Sequence, residues 1–257
     1  MAIRFHKYQG AGNDFIMIDD RSRDFNLEKE AIARLCDRRF GIGADGLILL
    51  QEDRDYDFRM VYFNADGGEG SLCGNGGRCA VRFAQDLGLI NDQTRFNAVD
   101  GAHVASLDKE VVRLGMGDVN GIENTGEAYF LNTGSPHYVE FVPDVDKADV
   151  VGKGKAIRYG SVYGPRGGTN VNFAEVAGEN HLMVRTYERG VEDETLACGT
   201  GVTGCALTAA EIFGWTGPVK VEVPGGELAV EFVRKAPGIF SDIYLTGPAR
   251  FVFQGSI

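Results

Sequence analysis

Short stretches in which apolar residues either alternate with polar ones or form a continuous run lie along most of the chain, and both patterns predict β-strands. In the first half they lie at 3–10, 15–19, 47–51, 58–64, 93–99, 102–107 and 110–115. In the second half they lie at 127–134, 137–142, 171–176 and 181–188, with further short strands toward the end. The pattern therefore predicts a protein built mainly from strands.

Three segments have the longer apolar period of helices. Residues 27–40 are predicted to be helical, with Asn26 as the N-cap and Gly41 just beyond the last turn. Residues 79–88 and 205–214 are apolar around much of their circumference, which predicts two buried helices, each inside a wrapped sheet. Because these few helices do not alternate regularly with strands, the fold class is predicted to be α+β with mixed sheets.

The two halves of the chain resemble each other around the buried helices. Each half has a strand, a glycine-rich acidic loop, the motif C-G-x-G, an apolar helix and a closing glycine. The motif begins at Cys73 and at Cys198, and the closing glycines are Gly88 and Gly214. Such a repeat indicates duplication and predicts two similar domains related by a pseudo-two-fold axis, with both C-G-x-G loops facing a shared cleft. Chance similarity is the alternative.

Charge and composition argue against two classes of binding partner, nucleic acids and membranes. The 257 residues carry a net charge of −11 without a cluster of Lys and Arg, so nucleic acid is not an expected partner. No apolar run approaches the roughly 20 residues that span a bilayer, and the first residues lack the apolar core of a signal peptide. No membrane association and a cytoplasmic location are expected, and the five cysteines are expected to be free thiols.

Cys73 and Cys198 carry the candidate chemistry because each stands just before a predicted helix. The first turn of a helix presents N–H groups and a positive dipole end, which stabilise a thiolate and can bind a carboxylate. Inversion of an amino-acid Cα requires a base on one face and an acid on the other, and a thiolate and a thiol of matched acidity suit both directions. Two helix N-termini would also stabilise the negative charge that develops on the α-carboxylate.

Other interpretations of the cysteines are weaker. Cys36, Cys79 and Cys205 lie on apolar helical faces and are expected to be buried and inert. A zinc site is an alternative, built from Cys73, Cys79, Cys198 and Cys205. The C-x5-C and C-x6-C spacings are poor for zinc, however, and no histidine supports them.

Cofactor motifs are also weak. The segment G-I-G-A-D-G at 41–46 fits a dinucleotide-loop pattern, but it follows a predicted helix and precedes a predicted strand, the reverse of the required order. None of the lysines stands in a motif that suggests a Schiff base with pyridoxal phosphate. No cofactor and no metal are therefore expected, and His137 is left between a structural and a functional role.

Several motifs occur in one order along nearly the whole chain. They are GAGNDF (10–15), GIGADG (41–46), FNADG (63–67), SLCGNGGRC (71–79), GSPH (134–137), TNVNF (169–173), YERG (187–190) and ETLACGTG (194–201). In these segments the chain resembles the diaminopimelate epimerase family. The resemblance implies two similar domains, each a mixed sheet wrapped around a central helix. The last strand is expected to join the first domain, which gives residues 1–116 plus 249–257 in one domain and 117–248 in the other.

The resemblance also implies an activity and its residues. Members of the family interconvert LL- and meso-diaminopimelate in lysine and peptidoglycan-precursor biosynthesis, without metal or coenzyme. The residues that match the two catalytic thiols are Cys73 and Cys198. Those that match backbone donors to the reacting carboxylate are Gly74, Asn75, Gly199 and Thr200. Those that match substrate-binding groups are Asn13, Asn64, Asn170, Glu188 and Arg189.

The implied substrate has an amino group and a carboxylate at each end. The guanidinium of Arg189 suits the distal carboxylate, Glu188 suits an ammonium, and asparagine amides can both donate and accept. One position departs from the family, which usually has Gly-Asn-Pro-His where this chain has Ser135 in G-S-P-H. The shorter hydroxyl is expected to reach the substrate through water or to alter the distal pocket.

Two other functions stay open at this point. A related racemase for proline or a hydroxylated proline would also use two thiols, but it would not need Arg189. A non-catalytic amino-acid-binding protein would need neither thiol. The expected partner is a small molecule, diaminopimelate for the leading hypothesis, and a homodimer is one expectation for the assembly.

Overall fold

The computed structural model describes residues 3–70 and 73–257. The chain forms two compact units, Met1–Leu114 with Gly247–Ile257, and Gly115–Thr246. Both junctions lie slightly before the predicted ones. Along the described residues, no helix combines the length and the apolar character that crossing a membrane requires.

The first unit surrounds one helix with a mixed sheet. Its elements are β1 (Arg4–Gly10), β2 (Asn13–Asp19), α1 (Lys29–Cys36), β3 (Gly46–Gln51), β4 (Arg59–Asn64), α2 (Gly74–Asp86), β5 (Gln93–Ala98), β6 (Gly101–Asp108), β7 (Val111–Gly115) and β18 (Arg250–Ser256). The strands pair in the order β18–β1–β2–β3–β4–β5–β6–β7. Among the described strands of this unit, the parallel neighbouring pairs are β2 with β3 and β4 with β5, and each is joined through a helix, the usual connection between parallel strands.

The second unit repeats this arrangement. Its elements are β8 (Val119–Asn120), β9 (Ile122–Asn124), β10 (Tyr129–Asn132), β11 (Pro136–Phe141), α3 (Val150–Tyr159), β12 (Asn170–Gly178), β13 (His181–Glu188), β14 (Asp193–Thr195), α4 (Gly199–Phe213), β15 (Val219–Val223), β16 (Gly226–Ala236) and β17 (Ile239–Pro248), with 3-10 turns at Val145–Lys147 and Gly164–Arg166. The main strands pair in the order β9–β10–β11–β12–β13–β15–β16–β17. The parallel pairs are β11 with β12, joined through α3, and β13 with β15, joined through α4.

Both units therefore follow one succession of antiparallel and parallel pairs, with a helix in each parallel connection. β18 takes in the first unit the place that β9 takes in the second. This correspondence confirms the internal repeat and the α+β fold class with mixed sheets. Each neighbouring strand pair of the first unit has the same direction, parallel or antiparallel, as the corresponding pair of the second unit, as expected for a duplicated fold.

The two central helices form the cores of their units. α2 packs against β1, β2, β3, β4, β6 and β18, and α4 packs against β10, β11, β12, β13, β15 and β16. The side chains of Phe83 on α2 and Leu207 on α4 are wholly buried. Burial of one such side chain stabilises the fold by about 1.5–3 kcal/mol. Gly88 and Gly214 follow the two helices in the left-handed conformation (φ 72° and 71°), where a side chain would be strained.

Several predicted bounds were wrong. The helix predicted at 27–40 is only Lys29–Cys36, its N-cap is Glu28 instead of Asn26, and Asp37 ends it before Gly41. The central helices begin about one and a half turns earlier than the predicted 79 and 205, because buried packing overrides the poor helix propensity of their glycines. The helix Val150–Tyr159 was not predicted, and neither were the two short strands Val119–Asn120 and Ile122–Asn124.

Candidate functional site

Cys73 is the N-cap residue of α2, as predicted, with an extended backbone (φ −94°, ψ 120°). Its side chain is partly exposed. The backbone N–H groups of Gly74 and Asn75 stand in the first turn of α2, where helix geometry provides no acceptor from the helix itself. A thiolate or a substrate carboxylate at this position would meet the positive end of the helix dipole.

Asn13 at the start of β2 contacts this helix terminus. Its Nδ2 donates to Asp45 Oδ2 at 2.6 Å, so the orientation of the amide is fixed. Its Oδ1 accepts from Asn75 Nδ2 at 3.2 Å and from Cys73 Sγ at 3.5 Å. The structure therefore brings the predicted residues Asn13, Cys73 and Asn75 together.

A cluster of charges holds Asn13 and Asp45 in place. Arg38 donates to Asp45 at 2.6 Å and to Asp14 at 2.7 Å, and the buried Lys7 pairs with Asp14 at 2.7 Å. Burial raises the pKa of Asp14, but the hydrogen bonds from Arg38 and Lys7 outweigh it and lower the pKa to about 2. Sequence reasoning missed this cluster. The available indication was an aspartate after the glycine turn in both GAGND and GIGADG.

Asn64 lies at the end of β4 and is exposed. Its backbone N–H and its Nδ2 both donate to Gly68 O, at 2.8 Å and 3.4 Å. It pairs with Gly46, which in turn pairs with Phe15, so it stands at the same end of the sheet as Asn13.

Arg78 is wholly buried beside the first turn of α2, and sequence reasoning gave it no role. Its guanidinium donates to Gly74 O at 3.3 Å and to Asn75 Oδ1 at 2.8 Å. Burial lowers the pKa of Arg78 to about 10, which leaves it protonated at neutral pH. Among the described residues, Cys79 and Cys73 are the titratable groups that act on this charge. The buried cation therefore favours negative charge at the Cys73 sulfur.

Cys198 is the N-cap residue of α4 and is only 6% exposed. Gly199 and Thr200 form the first turn of α4, as Gly74 and Asn75 form that of α2. Thr200 Oγ1 lies 3.6 Å from Cys198 Sγ. Each unit thus repeats a cysteine at the N-terminus of its central helix.

The predicted substrate-binding residues of the second unit lie close to this terminus. Asn170 at the start of β12 donates through Nδ2 to Ser135 Oγ at 3.2 Å, and its Oδ1 accepts from the backbone N–H of Arg189 at 2.9 Å. Glu188 ends β13 and accepts from Thr195 Oγ1 at 2.9 Å. Arg189 itself is exposed.

His137 is buried in this unit and belongs to the same hydrogen-bond network. Its Nε2 lies 2.9 Å from Ser135 Oγ, and its Nδ1 lies 3.2 Å from Asn172 Nδ2. Burial lowers the pKa of His137 to about 3, and the positive charge of Arg189 acts in the same direction. The imidazole is therefore neutral at physiological pH.

We expect His137 to make the fold less stable as the pH falls. Its folded-state pKa of about 3 lies below its ordinary value of 6.5. Between these values the unfolded chain takes up a proton that the folded chain does not, so the free energy of unfolding decreases by up to about 1.4 kcal/mol per pH unit. Urea unfolding of the wild type and of His137→Gln across this range measures the difference. Equal slopes for both proteins would show that His137 is protonated in the fold.

Gly201 allows α4 to approach β12 closely. A Cβ at Gly201 would lie 2.3 Å from Asn172 Oδ1, whereas one at Gly204 would lie 3.5 Å from Leu131. We expect Gly201→Ala to lower the free energy of unfolding by about 1–3 kcal/mol, because Asn172 must shift. Gly204→Ala is the matched control, and its better helix propensity should leave stability unchanged or raise it by up to about 1 kcal/mol. Thermal unfolding distinguishes the two, and equal stabilities would contradict the close approach.

The other three cysteines are buried, as predicted. Burial raises the pKa of Cys36 to about 11 and that of Cys79 to about 12, and it also raises the pKa of Cys205. Such thiols are poor nucleophiles at neutral pH. Cys73 and Cys198 therefore differ from them in standing at helix N-termini beside polar side chains.

Comparison with known proteins shows which family the chain belongs to. The model of the diaminopimelate epimerase family matches residues 5–122 and 129–252. The chain belongs to the diaminopimelate epimerase family. The diaminopimelate epimerase of Flavobacterium psychrophilum is 48% identical over 99% of this chain and 100% of that protein. The one of Chlorobaculum tepidum is 46% identical over 96% of this chain and 98% of its own.

Membership in the diaminopimelate epimerase family makes the chain an isomerase of lysine biosynthesis and confirms the resemblance that its motifs indicate. A solved structure shares the fold at low identity. The phenazine biosynthesis protein of the PhzF family from Bacillus anthracis superposes with a TM-score of 0.77 at 15% identity, over 100% of this chain and 99% of that one. This likeness concerns the fold alone, and it agrees with two repeated α+β units.

Proposed function

We propose that this protein interconverts LL- and meso-diaminopimelate by a two-base mechanism in which Cys73 and Cys198 act on opposite faces of one Cα. Family membership supports the reaction. The observation that carries the mechanism is the repeated placement of a cysteine at the N-cap of the helix that each sheet surrounds. A duplicated fold that supplies the same group twice suits a reaction that needs one group on each face.

The proposed reaction uses the two helix N-termini in the same way. One cysteine, as thiolate, removes the Cα proton, and the electron pair of the broken C–H bond spreads onto the α-carboxylate. Backbone N–H groups of Gly74, Asn75, Gly199 and Thr200 stabilise that charge as it develops. The other cysteine, as thiol, then returns a proton to the opposite face. The exchanged roles of thiol and thiolate make the enzyme ready for the reverse reaction.

The remaining predicted residues suit the two ends of the substrate. Asn13 is fixed by Asp45 with its Oδ1 toward Cys73, which suits an acceptor for the reacting ammonium. Asn170, Glu188 and Arg189 lie together at the ends of β12 and β13 and suit the distal ammonium and carboxylate. Asn64 belongs to the proposed binding set through its place at the sheet end alone. The cytoplasmic location and the homodimer stay predictions.

Incubation of the purified protein with LL-diaminopimelate tests the proposal. Chiral chromatography should show conversion to the meso isomer up to an equilibrium mixture, whereas L-proline and hydroxyproline given in parallel should remain unchanged. The variant Cys73→Ala with Cys198→Ala should produce no meso isomer. Turnover of a cyclic imino acid without turnover of LL-diaminopimelate would contradict the proposed substrate.

A further inference from the structure

A series of hydrogen bonds in the second unit leads from a buried histidine to the Cys198 sulfur. His137 Nε2 lies 2.9 Å from Ser135 Oγ. Ser135 Oγ lies 3.2 Å from Thr200 Oγ1, and Thr200 Oγ1 lies 3.6 Å from Cys198 Sγ. We call these four residues the hydroxyl relay. Ser135, at its centre, is also the position where this chain departs from the family motif.

The protons of the neighbouring side chains fix the direction of donation at the start of the relay. Asn172 Nδ2 donates to the backbone carbonyl oxygen of Tyr138 at 2.7 Å, which can only accept, so Nδ2 is also the amide atom that faces His137 Nδ1, at 3.2 Å. Because Nδ2 can only donate, Nδ1 must hold a lone pair. The single proton of the neutral imidazole is therefore on Nε2 and points to Ser135 Oγ.

The same counting fixes the rest of the relay. Ser135 Oγ accepts from His137 Nε2 and also from Asn170 Nδ2, at 3.2 Å. With both acceptor sites of the hydroxyl in use, its only proton is left for Thr200 Oγ1. Thr200 in turn has one hydroxyl proton, which is left for Cys198 Sγ. Every hydroxyl in the relay thus donates toward the sulfur.

We propose that Ser135 is a positioning residue for Cys198, which passes donation from His137 and Asn170 to Thr200 and so keeps a donor hydroxyl directed at the sulfur. A hydrogen bond to the charged form of an acid favours that form, so the relay stabilises the Cys198 thiolate. The assignment of Cys198 as a catalytic thiol rests on the proposed function. The hydrogen-bond series itself does not.

In the first unit, different groups act on the sulfur of the corresponding cysteine, Cys73. There the buried Arg78 supplies positive charge, and Cys73 Sγ donates to Asn13 Oδ1. The strands beside α4 also carry charged and titratable groups: Tyr129 on β10, His137, Tyr138 and Glu140 on β11, Glu175 on β12, His181, Arg185, Tyr187 and Glu188 on β13 with Arg189 just after it, Lys220 and Glu222 on β15, and Glu227, Glu231, Arg234 and Lys235 on β16. These groups are unchanged in the Ser135 and Thr200 variants, so a difference between variants reports on the relay.

Titration of the ultraviolet thiolate absorbance tests the proposal without a substrate. The spectrum of Cys73→Ala minus that of Cys73→Ala with Cys198→Ala isolates Cys198, because the remaining thiols and tyrosines cancel. In the Cys73→Ala background, Ser135→Ala should raise the apparent pKa of Cys198 by about 0.5–1 pH unit, as expected for one lost hydrogen bond. Thr200→Val, which keeps the backbone N–H of Thr200, should raise it by as much.

Two control variants distinguish the loss of the relay from a general disturbance of the structure around Cys198. Ser135→Thr retains the hydroxyl and should restore the parent titration. Thr203→Val removes a buried hydroxyl of α4 that donates only to Gly199 O, and it should leave the titration unchanged. Because both hydroxyls act in series, the variant with Ser135→Ala and Thr200→Val should shift the titration no further than Thr200→Val alone.

An unchanged titration in Ser135→Ala, or shifts that add in the double variant, would overturn the relay. If Ser135→Ala does not fold, the Cys198 titration of Thr200→Val is compared with that of Thr203→Val. A raised pKa in Thr200→Val alone would support the relay, and equal pKa values would overturn it. In the enzyme with both catalytic cysteines, Ser135→Ala should lower kcat by about threefold to tenfold with little change in KM. A shifted titration in a protein that does not turn over diaminopimelate would support the relay and contradict the proposed function, so the two failures are distinguishable.

Discussion

Replacement of Cys73 or Cys198 by alanine, one at a time, is expected to lower kcat for epimerisation by about three to four orders of magnitude. Each variant lacks either the base or the acid of the proposed mechanism, so inversion cannot be completed through protein groups. In the proposed mechanism the remaining thiol still faces one side of the Cα. Each single variant should therefore exchange the Cα hydrogen of one stereoisomer with solvent, and the two variants should prefer opposite isomers.

Cys79→Ala and Cys205→Ala are the matched controls, because these buried cysteines belong to the same two helices. Their loss creates a small cavity and should reduce stability by about 1–2 kcal/mol, with kcat within about twofold of the wild type. Rate measurements with all four variants decide the question. If Cys73→Ala or Cys198→Ala epimerised at the rate of the controls, that cysteine could not be one of the two bases.

Mild oxidation is expected to remove nearly all activity, and a thiol reductant is expected to restore it. If the two sulfurs flank one carbon of a small substrate, as proposed, they should be close enough to form a disulfide after a modest movement once the substrate is absent. The resulting bond would consume the base and the acid together. Mass spectrometry of the oxidised protein should find the peptides of Cys73 and Cys198 joined.

The other thiols make this prediction selective. Burial raises the pKa of Cys36 to about 11 and of Cys79 to about 12, so neither supplies thiolate at neutral pH. The variant Cys198→Ala should accordingly form no internal disulfide under the same conditions. Full activity after oxidation, or a disulfide that joins other cysteines, would contradict a shared site for Cys73 and Cys198.

The sequence predicted most strands, and the place of Cys73 and Cys198 before the central helices, because these depend on local patterns. Alternating residues identify β1 and β13, and a glycine-rich loop before an apolar helix identifies the N-terminus of α2. The helix Val150–Tyr159 was missed because two glycines interrupt it and its apolar face is weak. Helix 27–40 was predicted too long because Asp37, which ends α1 with an extended backbone, has no distinctive pattern.

The supporting contacts of the site depend on residues that are distant in the chain. Asn13 bonds to Asp45, and Ser135 bonds to Thr200, although neither pair has a shared local pattern. Arg78 stands in a motif that the sequence singled out, yet only the fold shows that its charge is buried. Sequence reasoning therefore proposed the groups that would touch the substrate, whereas the groups that hold them in place became visible only through tertiary packing.

Epimerisation in deuterium oxide tests the central claim most directly. If two opposed thiols exchange protons with solvent, meso-diaminopimelate formed from LL-diaminopimelate should carry one deuterium at the inverted Cα from the first turnovers. The LL substrate that remains should gain deuterium much more slowly. Meso product without deuterium at that carbon, or no product at all, would contradict the two-base account.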